Sequence, residues 1–191
     1  SRNVKILDIG VAGAELTNLY LSNQNLTGID ISIEMIRKAK MLLPKCNYFE
    51  QDGEDLEFQD GMIEIEVAGR PLSDAIPEAR GFIGLAFRIA PDLSAFECMY
   101  LRPTNGRAEQ QLRRNRATQY FSYPDWKFDR LRTEVPGHYE AYVDLVTGAW
   151  TKMRIEIDGE KAKLFVHDQE QPTIIVNDLK NGPDQKGGIG L

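Results

Sequence analysis

Two cysteines, two histidines and no long apolar run set the first limits on this chain. Cys46 and Cys98 are too few for a disulfide framework or a cysteine-rich metal site, so both are expected to be reduced and structural. His138 and His167 have no paired spacing, which argues against zinc. No Asp/Asn loop motif supports calcium, and no metal site is expected. Nothing approaches the ~20 apolar residues that span a bilayer. There is no Gly/Ser linker, no repeat and no low-complexity tract. Nothing at Ser1-Arg2-Asn3 reads as a secretory signal, so the expected location is the cytoplasm, although a trimmed start would hide one. An excess of positive charge is missing too. With a formal charge of −6 and a pI near 5.1, general electrostatic binding to nucleic acid or a membrane surface is not expected. What remains is 191 residues, 42% hydrophobic and 27% charged, which suits one ordinary folded domain or two small ones.

The two parts of the chain follow different patterns. Residues 4–9 form a short apolar run of the kind a buried parallel strand shows. Residues 14–22 read as a helix with Leu16, Leu19 and Tyr20 on one face. Residues 26–31 are a second strand. Ser32 is then an N-cap candidate before an apolar stripe of Ile33, Ile36, Met41, Leu42 and Leu43. Pro44 ends that helix, and residues 47–51 are a third strand. Strand, helix, strand, helix, strand is the opening half of a doubly wound α/β sheet. After Asp60 the helical period disappears. Residues 62–67 alternate strictly, residues 81–89 and 95–101 are apolar strands, and residues 140–145 and 152–157 alternate again. Asp158-Gly159 is a strong hairpin signal, answered by residues 162–166 and then 173–176. The expected fold is therefore an α/β half-unit, partly Rossmann-like with about three parallel strands, over residues 1–60. An all-β antiparallel jelly-roll sandwich follows over residues 61–191.

Chemistry in the first part gathers at the strand ends. Gly10, Ala12, Gly13 and Ala14 are small residues between a strand and a helix, and they let a ligand approach the backbone. Asp30 closes the second strand, where an acid can accept both ribose hydroxyls of a nucleotide. Asp52 follows the third strand, where a carboxylate can accept from an adenine amino group. The stretches LDIGVAGAELT, TGIDISIEMIRKAK and FEQDGEDLEF resemble the opening of a class I S-adenosylmethionine-dependent methyltransferase. That resemblance covers residues 4–58 and implies S-adenosylmethionine as cofactor. It implies a binding set of Asp8, Gly10, Ala12, Asp30, Ile31, Asp52 and Gly53. The family usually carries two further glycines where Ala12 and Ala14 stand. The pattern also stops after the third strand, so the acceptor half of that fold has no counterpart, which argues against methyl transfer. The first strand, central in that family, would be an edge, and a second copy of the chain could cover it.

The second part resembles a laminin-G-like, concanavalin-A-like sandwich, on the pattern of Trp150, an alternating strand, a short turn and a return strand. Trp150 is expected in the core. The densest polar cluster runs from Tyr100 to Trp126. Within it Arg102, Arg114 and Tyr120 are expected on one face, as donor forks and a ring for a carbohydrate or an acidic small ligand. The resulting expectation is a non-catalytic binding module, for carbohydrate, carrying a truncated S-adenosylmethionine-binding-like unit. Two alternatives stand beside it: an S-adenosylmethionine-dependent methyltransferase, and a fusion product with no evolved joint function. No catalytic residue can be named.

Overall fold

The structure is a computed structural model that describes residues 6–9, 26–30, 32–44, 46–50 and 57–191. The chain divides into two compact units, Ser1–Leu56 and Glu57–Leu191. The expected helix over residues 14–22 lies outside the described residues.

In the first unit β1 (Ile6–Ile9), β2 (Leu26–Asp30) and β3 (Asn47–Glu50) form a parallel sheet with β2 in the middle. Among the described residues β1 pairs with β2 alone. Helix α1 (Ile33–Leu42) connects β2 to β3. Ser32 has the extended backbone of an N-cap, but its hydroxyl makes no cap hydrogen bond. The helix buries Ile36 and Ala39, which pack with Tyr48, Leu43 and Cys46. The Tyr48 hydroxyl donates toward the carbonyls of Ala39 and Leu43, at 3.3 and 3.2 Å, and so satisfies helix-end acceptors. Ile33, Met41 and Leu42 of the expected stripe are exposed. Ile36, Ala39 and Leu43 follow the i, i+3, i+7 line, whereas Met41 points about 140° away from Ile36.

The second unit is two antiparallel sheets. One has the order β11-β10-β9-β4, from β4 (Gly61–Val67), β9 (Thr151–Asp158), β10 (Lys161–Val166) and β11 (Ile174–Val176). The other has the order β12-β5-β6-β7-β8. Its strands are β5 (Ile83–Ile89), β6 (Phe96–Leu101), β7 (Thr118–Tyr123), β8 (Glu140–Ala141) and β12 (Gly188–Gly190). Between β6 and β7 lies the short helix α2 (Gln111–Arg114), and between β7 and β8 lies α3 (Phe128–Glu134). Period-two alternation buries Ile63, Met153, Ile155, Leu164 and Val176 from the first sheet. Leu85, Phe87, Met99 and Leu101 are buried from the second, and β11 packs on β7. The hairpin at Asp158-Gly159 is present, with Gly159 at φ +58°, a conformation that favours glycine. Two expectations fail. Trp150 is 74% exposed, so it is no core residue, and the alternation over residues 140–145 yields only the two residues of β8.

Two buried charged groups tie loops of this unit together. Arg88 is on β5 with φ +53° and is fully buried. The pleat alone would turn it outward with Gly84 and Ala86, but the left-handed backbone and the register shift beside it in β12 turn it in. Its guanidinium donates to the carbonyls of Gln59 (2.8 Å), Gly182 (3.0 Å) and Gly159 (2.7 Å) and to Asp60 Oδ1 (3.1 Å). Glu97, on the inner face of β6, accepts from the Tyr120 hydroxyl at 2.8 Å and from Asn181 N–H at 2.9 Å. Burial pushes the Glu97 carboxyl above its ordinary value, against the opposing pull of these hydrogen bonds and of Arg88.

Removing the Arg88 guanidinium leaves three partly buried carbonyls without this donor. Arg88→Met is expected to cost about 3 kcal/mol or more of unfolding free energy. Arg88→Lys should recover only part, because an ammonium cannot reach the same fork of acceptors. Trp126 and Trp150, the only tryptophans, both belong to this unit, so urea unfolding followed by tryptophan fluorescence reports on it. A loss under 1 kcal/mol in the Met variant would contradict the role. Glu97 predicts a pH effect. The folded state holds its proton more tightly than the unfolded chain does. The resulting stability is full below the ordinary value of 4.5 and is lost as pH rises through the raised folded value. Wild type should therefore lose stability relative to Glu97→Gln as pH rises above 4.5. Parallel pH profiles would rule that out.

Candidate functional site

The first unit ends its three strands together. Ile9 is opposite Ile29, and Asp30 is opposite Glu50, so the carboxyl ends of β1, β2 and β3 form one edge. That edge is where open parallel sheets bind ligands, because loops and helix N-termini converge there. Asp30 is the last residue of β2, as the sequence leads one to expect. Its Oδ1 accepts the Ser32 N–H at 2.7 Å, which orients the carboxylate at the start of α1. A carboxylate has about four acceptor sites, so this bond is compatible with holding ribose hydroxyls as well. Asp8 is in β1 opposite Gly28, one residue before the strand ends. Gly10, Ala12, Ile31, Asp52 and Gly53 lie outside the described residues.

In the second unit the expected trio does not converge. Register decides this. Tyr100 of β6 is opposite Gln119 of β7, and Met99 is opposite Tyr120. Tyr120 therefore faces the core, where its hydroxyl also accepts Lys180 N–H at 3.0 Å, and burial pushes its pKa up. A one-residue difference in register moves a side chain to the other face of a sheet. Arg114 turns to Tyr142, donating to its hydroxyl at 3.1 Å with the guanidinium 5.0 Å from the ring centroid. Arg102 does lie on the outer face, but it is 4% exposed and held by neighbours. It donates to the Tyr100 hydroxyl, to Gln119 Oε1 at 3.2 Å and to the Arg116 carbonyl at 3.1 Å.

What the outer face of the five-stranded sheet does hold is an arginine-lined groove of about 710 Å³. Arg102, Arg116 and Arg132 gather round the buried carboxylate of Glu140. Arg102 and Arg116 approach it at 3.5 Å, and Arg132 Nε donates to it at 2.6 Å. Gln119 supports the cluster, accepting from Arg102 and Arg132 while donating to the carbonyls of Tyr120 and Tyr139. Burial pulls the Arg102 pKa down, an effect that Tyr100 and Glu140 oppose and Arg132 reinforces. Arg132 and Glu140 escape a sequence reading because one follows a strand that was not expected and the other heads a strand of two residues. Cys98, on the same face of β6, is a free thiol whose pKa burial pushes up to about 12, which disfavours the thiolate.

A family model described as a methyltransferase domain matches residues 6–88, less than half of the chain. The match takes in all three parallel strands and continues through β4 and β5, which the structure pairs antiparallel. No curated protein matches the chain. No helix among the described residues is long and apolar enough to cross a membrane. The family match overturns the reading of the chain as a carbohydrate-binding module. It also gives the laminin-G-like or concanavalin-like reading of residues 61–191 no support. The N-terminal segment of the chain is methyltransferase-like.

Proposed function

We propose that the first unit binds S-adenosylmethionine and that the chain serves methyl transfer. The carrying observation is the common edge of three parallel strands with Asp30 at its middle, within the segment that the methyltransferase family matches. Asp30 suits the ribose, since a carboxylate pre-oriented by a backbone N–H can accept two hydroxyls at little further cost in order. By the sequence resemblance, Gly10 and Ala12 would face the methionine end and Asp52 the adenine. The cofactor, when bound, supplies a methyl group on sulfonium. The chain's own residues hold and orient it at the strand ends.

Calorimetry of the full chain with S-adenosylmethionine and S-adenosylhomocysteine tests this reading. Binding of both is expected. Asp30→Asn keeps an oxygen for Ser32 N–H but loses the charge and one acceptor oxygen. It should weaken binding by about tenfold or more with little change in stability. No binding heat with wild type, or an unchanged Kd in the variant, would overturn the proposal. The loop residues give a second expectation. Ala12→Gly with Ala14→Gly restores the glycines of the family pattern, and removing two methyl groups should tighten S-adenosylhomocysteine binding. Equal or weaker binding would show that crowding by Ala12 and Ala14 is not what limits affinity.

A further inference from the structure

The groove on the second unit is basic in a chain whose net charge is −6. Five arginines line it, and the carboxylates beside them are those of Glu78 and Glu140. Arg102, Arg116 and Arg132 share Glu140. Arg80 and Arg113 have no carboxylate within ion-pair distance among the described residues. Arg80 donates to the carbonyls of Pro77 and Ala79, and Arg113 to Asn105 Oδ1 at 2.9 Å and Thr104 Oγ1 at 3.1 Å. Two guanidinium groups without a carboxylate, close enough to repel each other, mark the place where an anion gains most.

Three aromatic rings also line the groove. Phe82 and Tyr100 meet with ring centroids 5.8 Å apart, and Phe128 closes the side formed by α3. Phe82 and Phe128 are 57% and 45% exposed, and the Arg102 and Arg132 guanidiniums lie over their rings at 6.0 and 5.0 Å from the centroids, which leaves part of each ring open to solvent. The same three rings border a neighbouring hollow of about 540 Å³, which continues over Phe96 and Phe121. Gly84 lines that hollow, where a Cβ would come within 2.4 Å of Tyr100 Cα, so the close approach of β5 to β6 there requires glycine. Two guanidinium groups without a carboxylate and three rings lining one groove match an anion with an aromatic body.

We infer that this groove binds an aryl acid, a small anion with a carboxylate or phosphate head and a flat aromatic body. The head lies between Arg80 and Arg113, and the body stacks along Phe82, Tyr100 and Phe128. The groove belongs wholly to the second unit, so its occupancy is tested apart from cofactor binding by the first. The probe is 2-naphthoate, titrated into the full chain by calorimetry. Its neutral counterpart 2-naphthalenemethanol lacks the charge, and acetate lacks the rings. Naphthoate should bind, the alcohol at least about tenfold more weakly, and acetate more weakly still. Raising the salt concentration should weaken naphthoate and leave the alcohol unchanged. Arg113→Ala and Arg80→Ala should each weaken naphthoate by about tenfold, and Phe82→Ala should weaken both aromatic probes. The Arg80 side chain donates only to carbonyls of its own loop, so its variant keeps the test decisive if Arg113→Ala unfolds. Arg107→Ala, which removes a pair with the exposed Asp144, should change nothing. Equal affinity for acid and alcohol would overturn the assignment. So would no binding of naphthoate, or a Kd unmoved by Arg80→Ala.

Discussion

The second unit depends on one buried guanidinium. Arg88 brings together carbonyls from residues 59, 159 and 182, which belong to three separate loops. Its left-handed backbone costs about 1 to 3 kcal/mol by itself, and the four hydrogen bonds it gains hold it there. Glu97 does similar work deeper in the sandwich, joining Tyr120 of β7 to the segment after β11. Both are charged groups placed where a small two-sheet unit would otherwise leave loop backbone unsatisfied.

The groove is a product of the same architecture. β6 and β7 present alternate residues outward, so Tyr100 lines the groove and Phe121 the hollow beside it, while Met99 and Tyr120 become core. Glu140 and Gln119 then hold three arginines in fixed positions, which spares a ligand the cost of ordering long side chains. The first unit works differently. Its strand-end edge owes its shape to parallel pairing, and Asp30 owes its orientation to the first backbone N–H ahead of α1. The two units thus differ in what they present: an acidic residue at the end of the middle strand in one, and an arginine-lined groove in the other.

The parallel unit was readable because its signals are local. An apolar run, a helix period and an acid at a strand end each lie within a few residues, and β1, β2, α1 and β3 follow them. Met41 and Leu42 of the expected stripe are exposed because angular position around the helix, not apolar composition, decides which side chains are buried. β7 carries no periodic signal in the sequence because Thr118–Tyr123 serves two buried environments. Gln119 is buried on one side and Tyr120 on the other, so polar residues occupy positions where a periodicity reading expects apolar ones. Trp150 is exposed against expectation because an aromatic side chain says how much surface it would bury, not whether neighbours are there to bury it.

The sequence by itself determined the change from an α/β pattern to a β pattern near residue 60, the Asp158-Gly159 hairpin and the position of Asp30 at the end of a strand. Each follows from periodicity or turn chemistry acting over a few residues. The tertiary structure alone decided the register of β6 on β7, and with it which of Arg102, Arg114 and Tyr120 could face a ligand. It also decided that Arg80, Arg113 and Arg132 share a groove and that Arg88 turns inward. Those outcomes depend on pairings between residues far apart in the chain, where a shift of one position reverses every side chain and leaves the local pattern unchanged.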